Sequence, residues 1–360
     1  MYYAAIADHG YTHERYCAFF PGYPLLIRYF SRLLEWVAHS ALHRDSCLVL
    51  AGWLLSNTLF VAAAALFADL TQRLRIPHAR TALLCFCFSP ASIFMSALYT
   101  ESAFSALTLL ALLLVHSSHA LLASLVIAVS VSIRSNGIVT SGFVLFSIVS
   151  GICPALPLFL LRRCSLKDVI ASLRNNTTLR GLFGALLSAM LLSTIAAAPL
   201  FLIQSHHQRA WCSLTSSDWC RAAQTKLLPS FYSHVQQKYW NVGFLRYWTP
   251  SQIPNFILFF PMLHLVLSNV RGFRRLSPEP SSQQLLLPYV VHALFLALFA
   301  LFCMHVQVGT RLLCSASPAV FWFAAATFHA SPRGKVFVVS WFASYFLLGC
   351  LLFTNFYPWT

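Results

Sequence analysis

Residues 81–115 read TALLCFCFSPASIFMSALYTESAFSALTLLALLLV. Two apolar runs, 81–98 and 103–115, flank the tetrapeptide Tyr99-Thr100-Glu101-Ser102. At 35 residues the stretch is too long for one helical crossing, because a hydrocarbon layer ~30 Å thick takes ~20 helical residues. It predicts a hairpin of two crossings with Glu101 at the tip. An acid at the end of a membrane hairpin is costly unless it meets water or a partner, which makes Glu101 a candidate catalytic residue. The plainer alternative is a wetted interfacial glutamate without a role.

The rest of the chain reads the same way. Apolar residues make up 58% and charged residues 9% of the 360 residues, with a mean hydropathy of +0.69, whereas soluble domains carry ~25% charged residues. The apolar runs are unbroken rather than alternating, so the spans are helical and not barrel strands. The expected architecture is an all-α integral membrane protein forming one polytopic domain. About ten spans are predicted, at roughly 46–68, 81–98, 103–116, 120–133, 138–161, 181–203, 252–270, 285–303, 312–329 and 336–354. Ahead of them, between Leu25 and Arg44, polar residues (Arg28, Ser31, Arg32, Glu35, His39, His43) recur every three or four positions. Leu26, Phe30, Leu33, Leu34, Val37 and Ala41 fill the other face. That pattern predicts an amphipathic helix lying in the membrane interface within residues 1–45.

Charge sets the orientation. Loops 69–80, 116–119, 162–180, 271–284 and 330–335 hold 13 of the 24 Lys and Arg in 55 residues, among them Arg274 and Arg275. The positive-inside rule therefore makes them cytosolic. The N-terminal segment, Glu101, Arg134, a large 204–251 loop, His305–Arg311 and the C-terminus then face the lumen. The net charge of +15 is spread between spans rather than along one face, which argues against nucleic acid. Two glycosylation sequons in Asn175-Asn176-Thr177-Thr178 fall on the cytosolic side and should stay unmodified. Cys212 and Cys220 fall in the lumenal loop, where a disulfide between them is expected. Cys85, Cys87, Cys153, Cys303, Cys314 and Cys350 lie in or beside apolar runs and read as small hydrophobes. His9 and His13 have helical ligand spacing but no evident third ligand, so no metal site is predicted.

Polar residues collect on the lumenal side: Asp8, Glu14, Glu101, Arg134, Asn136, Tyr239, Trp240, Asn241, His305, Gln307 and Arg311. Any one of them could simply bond loops and helix ends. Their gathering on one face suits chemistry on a lipid phosphate, with arginine neutralising a phosphate leaving group and a carboxylate accepting a proton. A transporter would instead place charged sites near the midplane of repeated halves.

Several motifs carry a family resemblance. AIADHGY and AFFPGYPLL are followed by FSPASIFMSALYTESAF, IRSNG, YWNVGFLRYW with QIPNF, CMHVQVGTR and a terminal NFYPWT, in order from residue 4 to residue 360. Together they resemble the GPI mannosyltransferase 2 (PIG-V) family. The resemblance implies a multi-span endoplasmic reticulum glycosyltransferase of the GT-C class. Such an enzyme takes mannose from dolichyl-phosphate mannose and adds the second mannose, in α1,6 linkage, to the GPI-anchor precursor. Donor and acceptor are both lipid-linked, a small membrane partner subunit is a further expected partner, and no cofactor is assigned, with any divalent metal left open. A β-linked donor and an α-linked product imply inversion by single displacement.

The resemblance places Glu101 on the acid of the family's Tyr-Ser/Thr-Glu turn. Asp8 and Glu14 fall on acidic positions and are also candidate catalytic residues. Arg134 and Arg311 are expected on the donor phosphate, and Asn136, Tyr239, Trp240, Asn241, His305 and Gln307 on sugar or headgroup. One departure affects the expected base. The family carries an upstream helix and a Trp-Asp pair that would fall before Met1. An N-terminal segment with Arg15, Arg28, Arg32 and Arg44 on the lumenal side likewise calls for an upstream helix. The alternative expectation is therefore a truncated or inactive membrane subunit of the same family.

Overall fold

A computed structural model describes residues 2–39, 42–176, 178–214, 218–224, 230–272 and 279–355. Ala41, Thr177 of the sequons, Arg274, Arg275 and the terminal motif beyond Asn355 lie outside the described residues. Every regular element is helical among those described. Residues 2–37 form α1 (Tyr2–His9), a 3-10 turn (Glu14–Ala18) and α2 (Gly22–Val37). Then come α3 (Arg44–Arg73), α4 (Ala79–Cys87), α5 (Ser92–Ser96), α6 (Glu101–His116) and α7 (Ala120–Ile133). The middle holds α8 (Ser141–Ile152), α9 (Ala155–Leu160), α10 (Leu166–Asn176), α11 (Leu179–Cys212), α12 (Asp218–Gln224) and α13 (Phe231–Trp240). The last five are α14 (Ile253–Arg271), α15 (Pro280–Cys303), α16 (Gly309–Ala316), α17 (Ala319–Ala330) and α18 (Pro332–Thr354).

By length and apolarity, six described helical segments suffice to cross a membrane, and seven if the bent pair formed by α16 and α17 counts as one. The all-α membrane architecture read from the sequence holds. Its span boundaries change at prolines. The run 81–98 is two short helices, α4 and α5, because Pro90 has no N–H to return to the carbonyl of Phe86. Glu101 consequently does not sit at a hairpin tip; it is the first residue of α6, where the helix dipole favours an acid. The run 138–161 breaks at Pro154 between α8 and α9. The run 312–329 turns through 92° between α16 and α17 at Ser317-Pro318. In the other direction, α11 continues nine residues beyond 203, into the expected 204–251 loop. No glycine or proline stands there to stop it.

Helix α6 is the axis of the bundle. Of its 16 residues 11 are buried, so it is packed on all sides rather than along one stripe. Around it the largest side chains interlock. Phe67 of α3 stacks on Phe86 of α4 at 4.9 Å, and Phe86 meets Phe321 of α17 edge-on at 5.1 Å. Trp322 donates its indole N–H to Thr71 at 3.0 Å, which satisfies both polar atoms inside the core.

Helix α2 buries Tyr23, Pro24, Ile27 and Ser31 and leaves Leu26, Tyr29, Leu33 and Trp36 exposed. Arg28 turns inward, its Nε donating to the carbonyl of Ala7 at 2.5 Å. Arg28, on the polar side of this amphipathic helix, is thus held by α1, and a row of apolar side chains remains exposed. Loops pair in the two groups that charge predicts. Arg163 bonds Gln283 at 2.8 Å and His78 stacks on His329 at 3.8 Å in one group. Lys238 bonds Glu14 at 2.5 Å and Ser135 bonds Tyr232 at 3.0 Å in the other.

Candidate functional site

Three chain segments converge on Glu101. Arg134 ends α7 in an extended conformation (φ −147°, ψ 133°), which takes its side chain off the helix surface. The following 3-10 turn, Ser135–Thr140, folds back so closely that a Cβ on Gly137 would lie 2.9 Å from the amide nitrogen of Val131. Only glycine fits there. Arg311 is the third residue of α16. Gly309 opens that helix, and a Cβ on it would meet the Phe259 ring at 2.5 Å, so its hydrogen is what lets α16 lie against α14.

Glu101 is 1% exposed. Its Oε1 accepts from Arg134 Nη1 at 2.9 Å and lies 3.6 Å from Arg311 Nε. Its Oε2 is 3.5 Å from the Thr100 hydroxyl. Aromatic faces carry the two guanidiniums: Arg134 lies 5.3 Å from the Phe104 centroid, and Arg311 lies 4.9 Å from Phe94 and 5.7 Å from Tyr99. Such faces favour a cation without consuming its hydrogen-bond donors. Burying a carboxylate costs several kcal/mol unless it is well paired, and here two cations surround one anion. The cluster carries one surplus positive charge. Arg311 Nε is buried and makes no hydrogen bond, meeting Glu101 only at 3.6 Å, and Asn136 Nδ2, two residues after Arg134, is also buried without a hydrogen-bond partner. Surplus charge and spare donors are the features with which a protein binds an anion.

Glu14 centres a second cluster. It accepts from Lys238 at 2.5 Å and from the Tyr239 hydroxyl at 2.8 Å, with His234 Nε2 at 3.7 Å. Burial alone would raise the Glu14 pKa, but the Lys238 and Tyr239 hydrogen bonds and the Lys238 and His234 charges outweigh it and hold it below the usual value. The hydrogen bond to Glu14 raises Lys238 in turn. Asp8 sits in a third cluster, 2.6 Å from Arg44 and 3.2 Å from His9. Among the described residues no hydrogen bond or ion pair joins Asp8 or Glu14 to Glu101.

The remaining candidates split. His305 Nε2 bonds the Trp240 carbonyl, and its ring stacks on Tyr247 at 4.5 Å. Gln307 accepts from Tyr247 at 3.2 Å. Asn241 caps α13 in the left-handed region (φ 51°), a structural post that asparagine tolerates. Tyr239 belongs to the Glu14 cluster. Cys212 and Cys220 are joined by a disulfide, Cα–Cα 5.5 Å, and the neighbouring Trp219 stacks on His234 at 4.2 Å. No group of three or more His, Cys, Asp or Glu placed to hold a metal ion occurs among the described residues.

Several residues escaped the sequence reading. Phe104 and Ser315 were discoverable, because they stand three and four residues after Glu101 and Arg311 and so share their helix faces. Phe94 and Lys238 carried no such signal, since their partners are distant in sequence.

The sequence profile of the family described as Mannosyltransferase (PIG-V) matches residues 1–360. A GPI mannosyltransferase 2 of Drosophila pseudoobscura pseudoobscura is 32% identical, covering 100% of this chain and 85% of the relative. GPI alpha-1,6-mannosyltransferase 2 of Cricetulus griseus is 31% identical and that of Homo sapiens 30%, each over 99% of this chain and 85% of the relative. No solved structure gives a significant match.

Proposed function

From the premise that the chain belongs to the PIG-V mannosyltransferase family, we propose that it adds the second mannose, in α1,6 linkage, to the GPI-anchor precursor. The donor is dolichyl-phosphate mannose, and the site faces the lumen of the endoplasmic reticulum. The observation that carries the reading is the pair of guanidiniums around one buried carboxylate, with one positive charge left over. A sugar phosphodiester has one negative charge and matches that surplus.

In the transfer, the acceptor hydroxyl oxygen bonds to the anomeric carbon from the face opposite the phosphate. The bond from that carbon to the phosphate oxygen breaks, and its electron pair leaves with dolichyl phosphate. The hydroxyl proton passes to a base. Charge grows on the phosphate as the bond breaks, so cations already in place stabilise the transition state more than the ground state. Arg311, 23% exposed in its side chain and held less closely by Glu101 than Arg134 is (3.6 Å against 2.9 Å), offers its guanidinium to the phosphate. Arg134 is held back by Glu101 and supplies field. Glu101 is a positioning residue in this scheme, because Oε1 is taken by the arginines and Oε2 by Thr100.

Asp8 and Glu14, each already ion-paired, anchor the N-terminal segment to α3 and α13. His305, Gln307 and Asn136 border the sugar, and a small membrane subunit remains an expected partner.

The test uses cells lacking the second GPI mannosyltransferase, with surface display of a GPI-anchored reporter as the readout. Expression of this chain restores display and Arg311→Ala does not; equal display by both variants would remove the phosphate site from the scheme.

A further inference from the structure

Beside the Glu101–Arg134 pair, α6, the α16–α17 corner and Phe86 of α4 line a small cavity. Ser105, Thr108, Cys314, Ser315, Ser317 and Phe321 are among its lining residues. Its room for the centre of a water is about 10 Å³, the space of about one molecule. An apolar void of that size would stay dry. This one is lined by hydroxyls, and two of them are unpaired: Thr108 Oγ1 and Ser317 Oγ are buried without a hydrogen-bond partner. Both residues are 1% exposed. Buried hydroxyls in folded proteins are almost always bonded, to protein or to ordered water. Pro318 adds a further need, since it returns no N–H to the carbonyl of Cys314.

The chemistry of the lining selects the occupant. No carboxylate lines the cavity, and the Arg134 guanidinium touches its wall at the Ser315 hydroxyl, 3.5 Å away. A cation would be repelled, and an anion would find too little room. We propose that the cavity holds one ordered water bridging Thr108 and Ser317, and that this water positions Arg134 through Ser315. The second half of that statement rests on the function proposed above; the first does not.

The placement gives the water a purpose. Thr108 lies seven residues beyond Glu101, about 10 Å along α6. Ser315 lies one turn beyond Arg311 on α16 and donates its hydroxyl to the Arg311 carbonyl at 2.8 Å. Its oxygen is left to face Arg134. The water therefore ties α6, which carries Glu101, to the end of α16, which carries Arg311, and it fixes the corner where α16 breaks. Thr108 and Ser317 are positioning residues.

The test uses the purified full chain with Thr108→Val, Thr108→Ser, Ser317→Ala and the Thr108→Val/Ser317→Ala pair. Valine matches threonine in shape. If the hydroxyl were unpaired, its removal would raise Tm; with the water bridge, Tm falls. The double variant then falls no further than the lower single variant, because both remove the same molecule. A raised Tm, or additive losses, overturns the water. Positioning is read separately from mannose transfer and from the Tm rise that dolichyl phosphate produces. Thr108→Val should raise the donor KM about fivefold and shrink that rise, while Thr108→Ser restores both. A lowered Tm with an unchanged donor KM would leave the water and overturn its role. A wild-type chain that neither transfers mannose nor responds to dolichyl phosphate would overturn the proposed function and the positioning together, and the sign of the Tm change still decides the water.

Discussion

Arg134 Nη1 lies 2.9 Å from Glu101 Oε1, at the meeting of one helix start and one helix end. The acid is at the positive end of α6 and the arginine follows the last turn of α7, so each charge also meets the favourable pole of its own helix. A buried pair held in this way is poorly replaced by either residue alone.

Glu101→Gln keeps an acceptor near Arg134 but removes the negative charge. Transfer should drop at least ~10-fold, the worth of ~1.4 kcal/mol, with protein level retained. Glu101→Ala should also cut the folded yield, since breaking a buried pair costs ~3–5 kcal/mol. Full transfer by Glu101→Gln in a microsomal assay would take the residue out of the site.

Arg311→Ala should raise the apparent donor requirement by ~10- to 100-fold, the loss of one charge-assisted contact worth ~1.5–3 kcal/mol. Its Tm should change little, because the guanidinium is 3.6 Å from Glu101 and partly exposed. An unchanged dependence on dolichyl-phosphate mannose would falsify the phosphate role.

The Glu14 cluster makes a pH prediction. The folded-state pKa of Glu14 is lowered, so its stabilisation is present above the ordinary glutamate value of ~4.3 and lost as pH falls through the lower folded value. The Tm difference between the wild-type chain and Glu14→Gln should be constant at neutral pH and shrink only below about pH 4.3. A difference that vanishes near pH 7 would place the effect elsewhere.

Replacing Cys212 and Cys220 by serine opens a loop of sequence separation 8. The expected loss is about 2–3 kcal/mol, at the low end for so short a loop. Thiol labelling of the wild-type chain under non-reducing conditions should leave both cysteines unmodified, and labelling of both would refute an oxidised lumenal position.

Asn175 and Asn176 of the sequons are the last two residues of α10, on the basic side of the chain. Endoglycosidase treatment should produce no mobility shift at these sites. A shift that Asn175→Gln and Asn176→Gln together abolish would invert the orientation drawn from the loops.

Much of this was readable from the residues. Hydropathy located α3, α11, α14, α15 and α18, because long apolar runs have few alternatives to a helix. Loop charge placed Glu101, Arg134 and Arg311 on one side. What it could not supply was the pairing, since contacts between residues 101, 134 and 311 depend on how three helices cross. The breaks at Pro90, Pro154 and Pro318 were visible as letters, yet a hydropathy average passes through a proline without registering the lost N–H. The second acid cluster was hidden for the same reason as the first: Glu14 and Lys238 are 224 positions apart.

The all-round burial of α6 bears on how the protein is made. Sixteen helical residues span ~24 Å, short of the ~30 Å hydrocarbon layer, and the segment begins with an acid whose partner Arg134 is synthesised 33 positions later. A nascent chain reaching this point has a helix ill suited to lipid on its own. The centre of the finished bundle should therefore be a late arrival in biogenesis, sheltered beside the insertion machinery until α7 brings its counter-charge and the surrounding helices replace lipid.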